Sequence, residues 1–296
     1  MSEVPWDVEL LDRIERLHLS ARRAVEGWRH GGHISRTIAT NIEFVDHKEY
    51  APGDPIRHVD WKVAARTDKL VIRRHEAETI VPVMLVVDAS GDLGTGQGPP
   101  DLERSKFGAA ITMAATLAVF LSNRGDPVGL KIVAGTGHPG GRIPPGPRSL
   151  PAVIRALASV RPAGVANLHD ALARLGEQLP RRSVTIMVSD LMEDPAQWGP
   201  SLGAMAARGV DCRVVHVYDP SEWGLDYAKP VVLFSPEDEA SLAVDPETLR
   251  DAMNTVVDDY VAEVRGVLGR YRCSHHLAPI DRPLDLLLAS VLGGRP

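Results

Sequence analysis

An α/β fold with a mostly parallel central sheet and helices on both faces is the class this sequence predicts, on three observations. The runs VPVMLVVD, ending at Asp88, and SVTIMVSD, ending at Asp190, are almost continuously apolar. Strands buried on both faces of a parallel sheet read this way. Segments with helical spacing alternate with these and further apolar runs, as chains of βαβ units do. Clusters of Gly and Pro such as GTGHPGGRIPPGP punctuate the alternation.

The chain has 296 residues, 44% of them hydrophobic, and a net charge of -6. That composition excludes a disordered or collagen-like chain. It also argues against a nucleic-acid partner, because neutralising phosphates needs a concentrated basic face. Cys212 and Cys273 have no CxxC spacing, which excludes a zinc ribbon or a thioredoxin-type site, and both read as small buried apolar residues. The N-terminal MSEVPWDVELLDRIER lacks the basic-then-apolar pattern of a secretory leader. The longest apolar run, Ala109 to Leu121, falls short of the roughly 20 residues a bilayer needs and reads as a buried core helix. A cytoplasmic chain with no membrane insertion is expected.

In order along the chain, Leu10, Ile14, Leu17, Ala21, Val25 and Trp28 form one stripe of an amphipathic helix from about Asp7 to Trp28, stopped by Gly31 and Gly32. The expected use of that stripe is docking on the chain's own core. Thr37 to Glu78 is charged and irregular, with a turn at Pro52 to Pro55 and a short strand at Leu70 to Arg73. After Val81–Asp88 come a helix over 102–123, a strand over 127–134 and helices over 150–160 and 168–179. The strand 183–190, a helix over 195–208 and the strand 210–219 follow. The chain closes with a strand at 231–234, a helix over 246–271, a strand in CSHHLAPI and a short helix over 283–292.

In a doubly wound sheet, ligands gather outside the carboxyl ends of the strands. If the two Asp-terminated strands are neighbours, Asp88, Ser90, Asp92 and Asp190 face one small volume. Oxygen-only donors suit hard cations, Mg²⁺, Mn²⁺ or Ca²⁺. The competing reading is a polar strand end satisfied by neighbouring backbone N–H groups.

Three segments, Asp88-Ala89-Ser90-Gly91-Asp92, AGVANLHDAL (163–172) and Ser189-Asp190, resemble a von Willebrand factor A domain. In that family an Asp-x-Ser-x-Ser run, a loop Thr and a strand-ending Asp form a metal-ion-dependent adhesion site, usually with Mg²⁺, that recognises an acidic group on a partner. Here Asp92 stands at the last Ser and Ala166 at the Thr, so the resemblance implies an altered site.

Upstream, Tyr50, Gly53, Asp54, Arg57, Asp60, Trp61, Ala65, Arg66 and Leu70 fall on a YxxGDxxRxxDW-type pattern. It resembles the signature of a MoxR-associated, von Willebrand A-like bacterial family known as domain of unknown function fifty-eight. The likeness extends to IEFVDHKEYAPGD and DPETLRDAM and covers most of the chain. It implies a three-layer, Rossmann-type sandwich over 81–296, preceded by an N-terminal helix within 1–36 and an irregular signature segment over 37–80. It further implies a non-enzymatic protein–protein interaction module that works with a MoxR-type AAA+ ATPase in protein maturation or stress response. Many relatives carry N-terminal membrane helices; this chain resembles the soluble subset.

Within the signature, Asp54, Arg57, Asp60 and Arg66 can make two carboxylate–guanidinium pairs around Trp61. A partner-binding surface and a semi-buried network fixing the segment to the sheet both fit, and the network is the favoured reading. His58 belongs to the same segment without chemistry.

The alternative functions are an Mg²⁺-dependent phosphoester hydrolase and a scaffold with no metal. Against the hydrolase, no basic residue adjoins the aspartate run, Arg104 and Lys106 being the nearest after it. GTGHPGG has neither GxGxxG nor GK[ST], so it gives no support for nucleotide binding, and no GxSxG elbow appears. His275 and His276 sit on opposite faces of a strand and do not share a ligand. His169-Asp170 opens a helix near Ala166, with Asp170 expected to serve the helix start.

Overall fold

The computed structural model describes residues 8–30, 46–51, 59, 61–67, 70–74, 80–94, 105–134, 141–225, 229–234, 241–282 and 284–293. Its helices are α1 (Val8–His30), α2 (Trp61–Thr67), α3 (Lys106–Asn123), α4 (Leu150–Ser159), α5 (Leu168–Gln178), α6 (Pro195–Ala207), α7 (Pro220–Trp223), α8 (Pro246–Arg270) and α9 (Leu284–Leu292). The strands are β1 (Asp46–Glu49), β2 (Val71–Arg74), β3 (Val83–Ala89), β4 (Val128–Ala134), β5 (Arg142–Gly146), β6 (Val184–Ser189), β7 (Asp211–Tyr218), β8 (Val231–Phe234), β9 (Ser241–Val244) and β10 (Ser274–Pro279).

A six-stranded sheet in the order β10-β7-β6-β3-β4-β5 forms the centre. All its pairings are parallel except β4 with β5. Strand order reverses between β3 and β6, which makes their carboxyl ends the topological switch point of the sheet.

Residues of β3 alternate between two cores. Val83, Leu85, Val87 and Ala89 pack in a cluster with α3, α4, α1 and α9. Met84 and Val86 pack in another with α5, α6 and α8. Every residue of β3 is buried, which is why the run VMLVVDA lacks the polar alternation of a one-sided strand.

The stripe of α1 docks as expected: Ala21 and Val25 are buried, Ile14 and Leu17 pack beside them, and the helix lies on α3, α4 and α9. The side chains of Leu10 and Trp28 lie outside the described residues. By length and composition α3 is apolar enough to cross a membrane, yet 72% of it is buried inside the protein. It is the core helix that Ala109 to Leu121 led us to expect.

Five short elements depart from the sequence reading: β1, α2, β5, α7 and β9. Strand β1 is DHKE, without one apolar residue, and pairs antiparallel with β2. Strand β9 completes a hairpin with β8. Backbone pairing alone sustains such strands, so no hydrophobic period announces them. Cys212 and Cys273, distant in sequence, are brought side by side as free thiols by the parallel pairing of β7 with β10, Cys212 donating to the Leu202 and Val210 carbonyls and Cys273 to the Tyr271 carbonyl.

Edge strand β5 carries Pro144 and Pro145, tolerated because an edge strand can leave one side unpaired. It also approaches β4 closely at Gly129, where an added Cβ would sit 2.7 Å from the Ile143 carbonyl oxygen and 2.7 Å from the Pro145 nitrogen. Backbone cannot yield there as a side chain would. Gly129→Ala is therefore expected to cost about 2 kcal/mol in urea unfolding, in the range of forced overpacking. An unchanged midpoint would show that β5 is free to move away.

Candidate functional site

Helix α3 follows the carboxyl end of β3, so its N-terminus opens at the switch point. Ser105 caps it, its Oγ accepting from the Gly108 N–H at 3.1 Å. Because β3 and β6 are in register, Asp88 lies level with Ser189, and Asp190 follows at the strand end.

The structure brings Asp88, Ser90 and Asp190 together. Asp88 and Asp190 are each 3% exposed and Ser90 is 7% exposed. Asp88 has both oxygens engaged: Oδ1 accepts from the Ser90 N–H at 2.9 Å, and Oδ2 accepts from Ser189 Oγ at 2.6 Å. Ser189 Oγ in turn accepts from the Leu191 N–H at 2.9 Å. Burial, and then the charge of Asp190, push the Asp88 carboxyl up to about 7. Asp92 stands half-buried in the single turn of 3₁₀-helix at Gly91–Gly94.

Lys106, the first residue of α3, does not adjoin the aspartate run in sequence, yet the fold brings it to Asp190. Its side chain is 7% exposed, and its Nζ lies 3.1 Å from Asp190 Oδ2 and 3.0 Å from Glu222 Oε2. Burial alone would lower the pKa of this amine. The two carboxylates outweigh burial, so the pKa is raised and the ammonium persists. Only a basic residue opening the most buried helix hinted at this in the sequence.

The rest of the donor set does not fit a divalent cation. Ala166, at the position of the family's Thr, is 6% exposed inside an apolar cluster with Leu168 and Leu172, and offers no oxygen. Among the described residues, no three or more His, Cys, Asp or Glu side chains are grouped to hold a metal ion. The described polar groups at this strand end form an internally hydrogen-bonded cluster.

Three loops close over this cluster. The Ala163 N–H donates to the Ala89 carbonyl at 3.0 Å, and the Gly91 N–H to the Gly164 carbonyl at 2.8 Å. Glu193 accepts from the Leu168 N–H at 2.8 Å, and Tyr260 of α8 donates its hydroxyl to the Leu191 carbonyl. Two large apolar side chains on these loops face solvent, Val165 at 58% and Met192 at 64% exposure.

Other sequence candidates fall elsewhere. Asp170 pairs with Arg174 at 3.8 Å in the first turns of α5, as expected of helix-start electrostatics. His169 joins α5 to α6 through the Gln197 carbonyl at 2.9 Å. His275 and His276 do point apart: His275 meets His216 at 3.3 Å, and His276 meets Ser290 at 3.1 Å.

In the signature, Gly53, Asp54, Arg57, His58 and Asp60 lie outside the described residues. Tyr50 is half-buried, and its N–H donates to the Leu70 carbonyl at 2.9 Å. Arg66 is exposed in the last turn of α2, a favourable end for a cation. Trp61 is 62% exposed, and the expected ion-pair network falls on Asp54, Arg57 and Asp60, outside the described residues.

The chain is an α/β sandwich whose strand-end carboxylates converge at the switch point between β3 and β6. A family model described as "Protein of unknown function DUF58" matches residues 46–263, and the chain belongs to that family. It is 29% identical over 252 residues to Uncharacterized protein Rv1480 of Mycobacterium tuberculosis, covering 83% of this chain and 77% of that one. Among solved structures it is similar to BatB of Bacteroides thetaiotaomicron, at 15% identity and TM-score 0.47 over 72% of this chain and 96% of that one. It is also similar to the SpRpn10 VWA domain, at 14% identity and TM-score 0.39 over 74% of this chain and 98% of that one.

Two predictions follow from the buried charges. Lys106→Met leaves Asp190 and Glu222 uncompensated, and removing one member of a buried ion cluster costs roughly 3 kcal/mol. Chemical unfolding measures that loss; a change below about 1 kcal/mol, the scale of an exposed pair, contradicts it.

The second concerns pH. Burial, and then the neighbouring His275, push the His216 ring down to about 3; burial, then Arg265, push His275 down to about 4. Both folded values lie below the ordinary 6.5, so their contribution is complete above pH 6.5 and is lost as pH falls towards 4. Asp88 acts oppositely, because its folded value lies above the ordinary 3.8 and its ionisation penalty disappears as pH falls from about 7. His275→Gln removes one falling contribution and leaves Asp88 in place. The variant is expected to lose less stability than the wild type between neutral and mildly acidic pH, read as the shift in urea midpoint.

Proposed function

We infer that the protein is a non-enzymatic protein–protein interaction module. Its partner is a MoxR-type AAA+ ATPase, and the pair serves protein maturation or stress response in the cytoplasm. The observation that carries this reading is the division of labour at the switch point. The polar groups there turn inward and hydrogen-bond one another, while Val165 and Met192 stand exposed on the loops that cover them. Such a face offers contact area rather than a reactive group. Exposed Trp61 adds a second anchor, of the residue type most often dominant in interfaces. The ATPase enters as partner through the family resemblance of the signature and the strand-end motifs.

Co-purification with a MoxR-type AAA+ ATPase from the same genome tests the reading. The two should co-elute, equally in EDTA and in Mg²⁺, and Met192→Glu should abolish co-elution without lowering the melting temperature. Trp61→Ala tells whether α2 shares the interface. No association, together with an unchanged ATPase rate, sinks the proposal. Turnover of a generic phosphoester that Asp88→Ala abolishes would favour the hydrolase reading instead.

A further inference from the structure

Lys106 occupies an expensive position. Lysine is seldom buried unless paired, and this one sits at the N-terminus of α3, where the helix already presents its positive end. Four further facts converge on the same point. The carboxylate it binds at 3.1 Å is Asp190, the residue that closes the adhesion-type metal site in the resemblance. A second carboxylate, Glu222 from the short helix after β7, meets the same nitrogen at 3.0 Å. Both oxygens of Asp88 are already committed to Ser189 and to the Ser90 N–H. Ala166 packs in an apolar cluster where a hydroxyl ligand would be needed.

A bound Mg²⁺ takes near-octahedral oxygen at about 2.0–2.1 Å. The Asp190 and Glu222 oxygens instead lie at ammonium hydrogen-bond distance from a nitrogen that carries the positive charge itself.

We propose that the Lys106 ammonium is the resident cation of this site, standing in for the divalent ion, so that the strand-end face is organised without metal. The lysine also brings its own acidic ligand. Of its two carboxylates, Asp190 has a side chain 4% exposed and Glu222 one 28% exposed, so Glu222 closes the cluster on the solvent side. In the family it resembles, the metal of such a site recognises an acidic group on a partner; here the chain's own Glu222 meets the Lys106 ammonium at 3.0 Å. Recognition on this face therefore falls to the surrounding loops rather than to a cation. This last step rests on the interaction reading, whereas the role of Lys106 does not.

Mn²⁺ titration of the full-length protein tests the proposal directly. The alanine methyl resonances are followed by NMR and the melting temperature is compared in EDTA and in Mg²⁺. The methyls of Ala89 and Ala166, both buried beside the cluster, should keep their linewidths at stoichiometric Mn²⁺, and the melting temperature should not move. Selective broadening of these two signals at stoichiometric metal, with a higher melting temperature in Mg²⁺, overturns it. A second arm removes the ammonium with Lys106→Ser and restores the family residues with Asp92→Ser and Ala166→Thr, all combined. This variant should gain saturable Mn²⁺ binding and broaden the Ala89 methyl, and a folded variant that binds no metal counts against the proposal. If it does not fold, the wild-type titration decides alone, and failure of the ATPase to co-elute leaves that result unaffected.

Discussion

The contact of Lys106 with Asp190 and Glu222 is the constraint on which the carboxyl end of the sheet depends. Parallel topology brings β3 and β6 together and so forces two strand-ending carboxylates into one dry volume. Charges so placed must be paired or neutralised. The chain does both. One ammonium, delivered by the first turn of α3, ties the loop after β6 to the helix after β7. A raised proton affinity supplies the rest: burial, and then the charge of Asp190, push the Asp88 carboxyl up to about 7, so it takes up a proton far more readily than an ordinary carboxyl. Where positive charge runs short, the site takes up hydrogen ions.

Holding that arrangement requires a strained backbone next door. Leu191, directly after Asp190, has φ 57°, a left-handed conformation that costs a non-glycine residue about 1–2 kcal/mol. The neighbours over-determine it. Its side chain is fully buried, its N–H donates to Ser189 Oγ, and its carbonyl accepts from Tyr260. The same serine hydroxyl that accepts from Leu191 donates to Asp88. Strain in the loop and polarity in the cluster are thus parts of one network.

What could be read from the sequence follows from what each element buries. Strands β3, β6 and β7 bury both faces, and α1, α5 and α6 bury one clear stripe; their residues carry the pattern in plain view. Strand β1 buries nothing apolar of its own sequence, and α2 exposes Trp61, so neither has a periodic signal to find. Asp88, Ser90 and Asp190 were legible as a site because strand ends in such sheets converge. Lys106 was not, since reaching Asp190 depends on where a helix starts in three dimensions, 84 residues away in the chain. Sequence spacing reports what adjoins a motif in the chain. It is silent on what a neighbouring helix terminus brings to it.

The same distinction applies to the limits of the domain. The family-matched region runs from β1 into α8 and contains the whole strand-end cluster. Yet the core under α3 is closed by elements outside that region at both ends. Ala21 and Val25 of α1 and Leu288 and Val291 of α9 are buried in it, and the two helices touch each other. Strand β10, also beyond the match, covers the edge of β7 and places His275 against His216. His216 in turn lies beside the backbone of Asp190. The chemistry of the switch point is therefore enclosed by the matched segment but steadied by the chain on either side of it. A fragment cut to the matched region would keep the carboxylates and lose the packing that holds α3, and with it Lys106, in place.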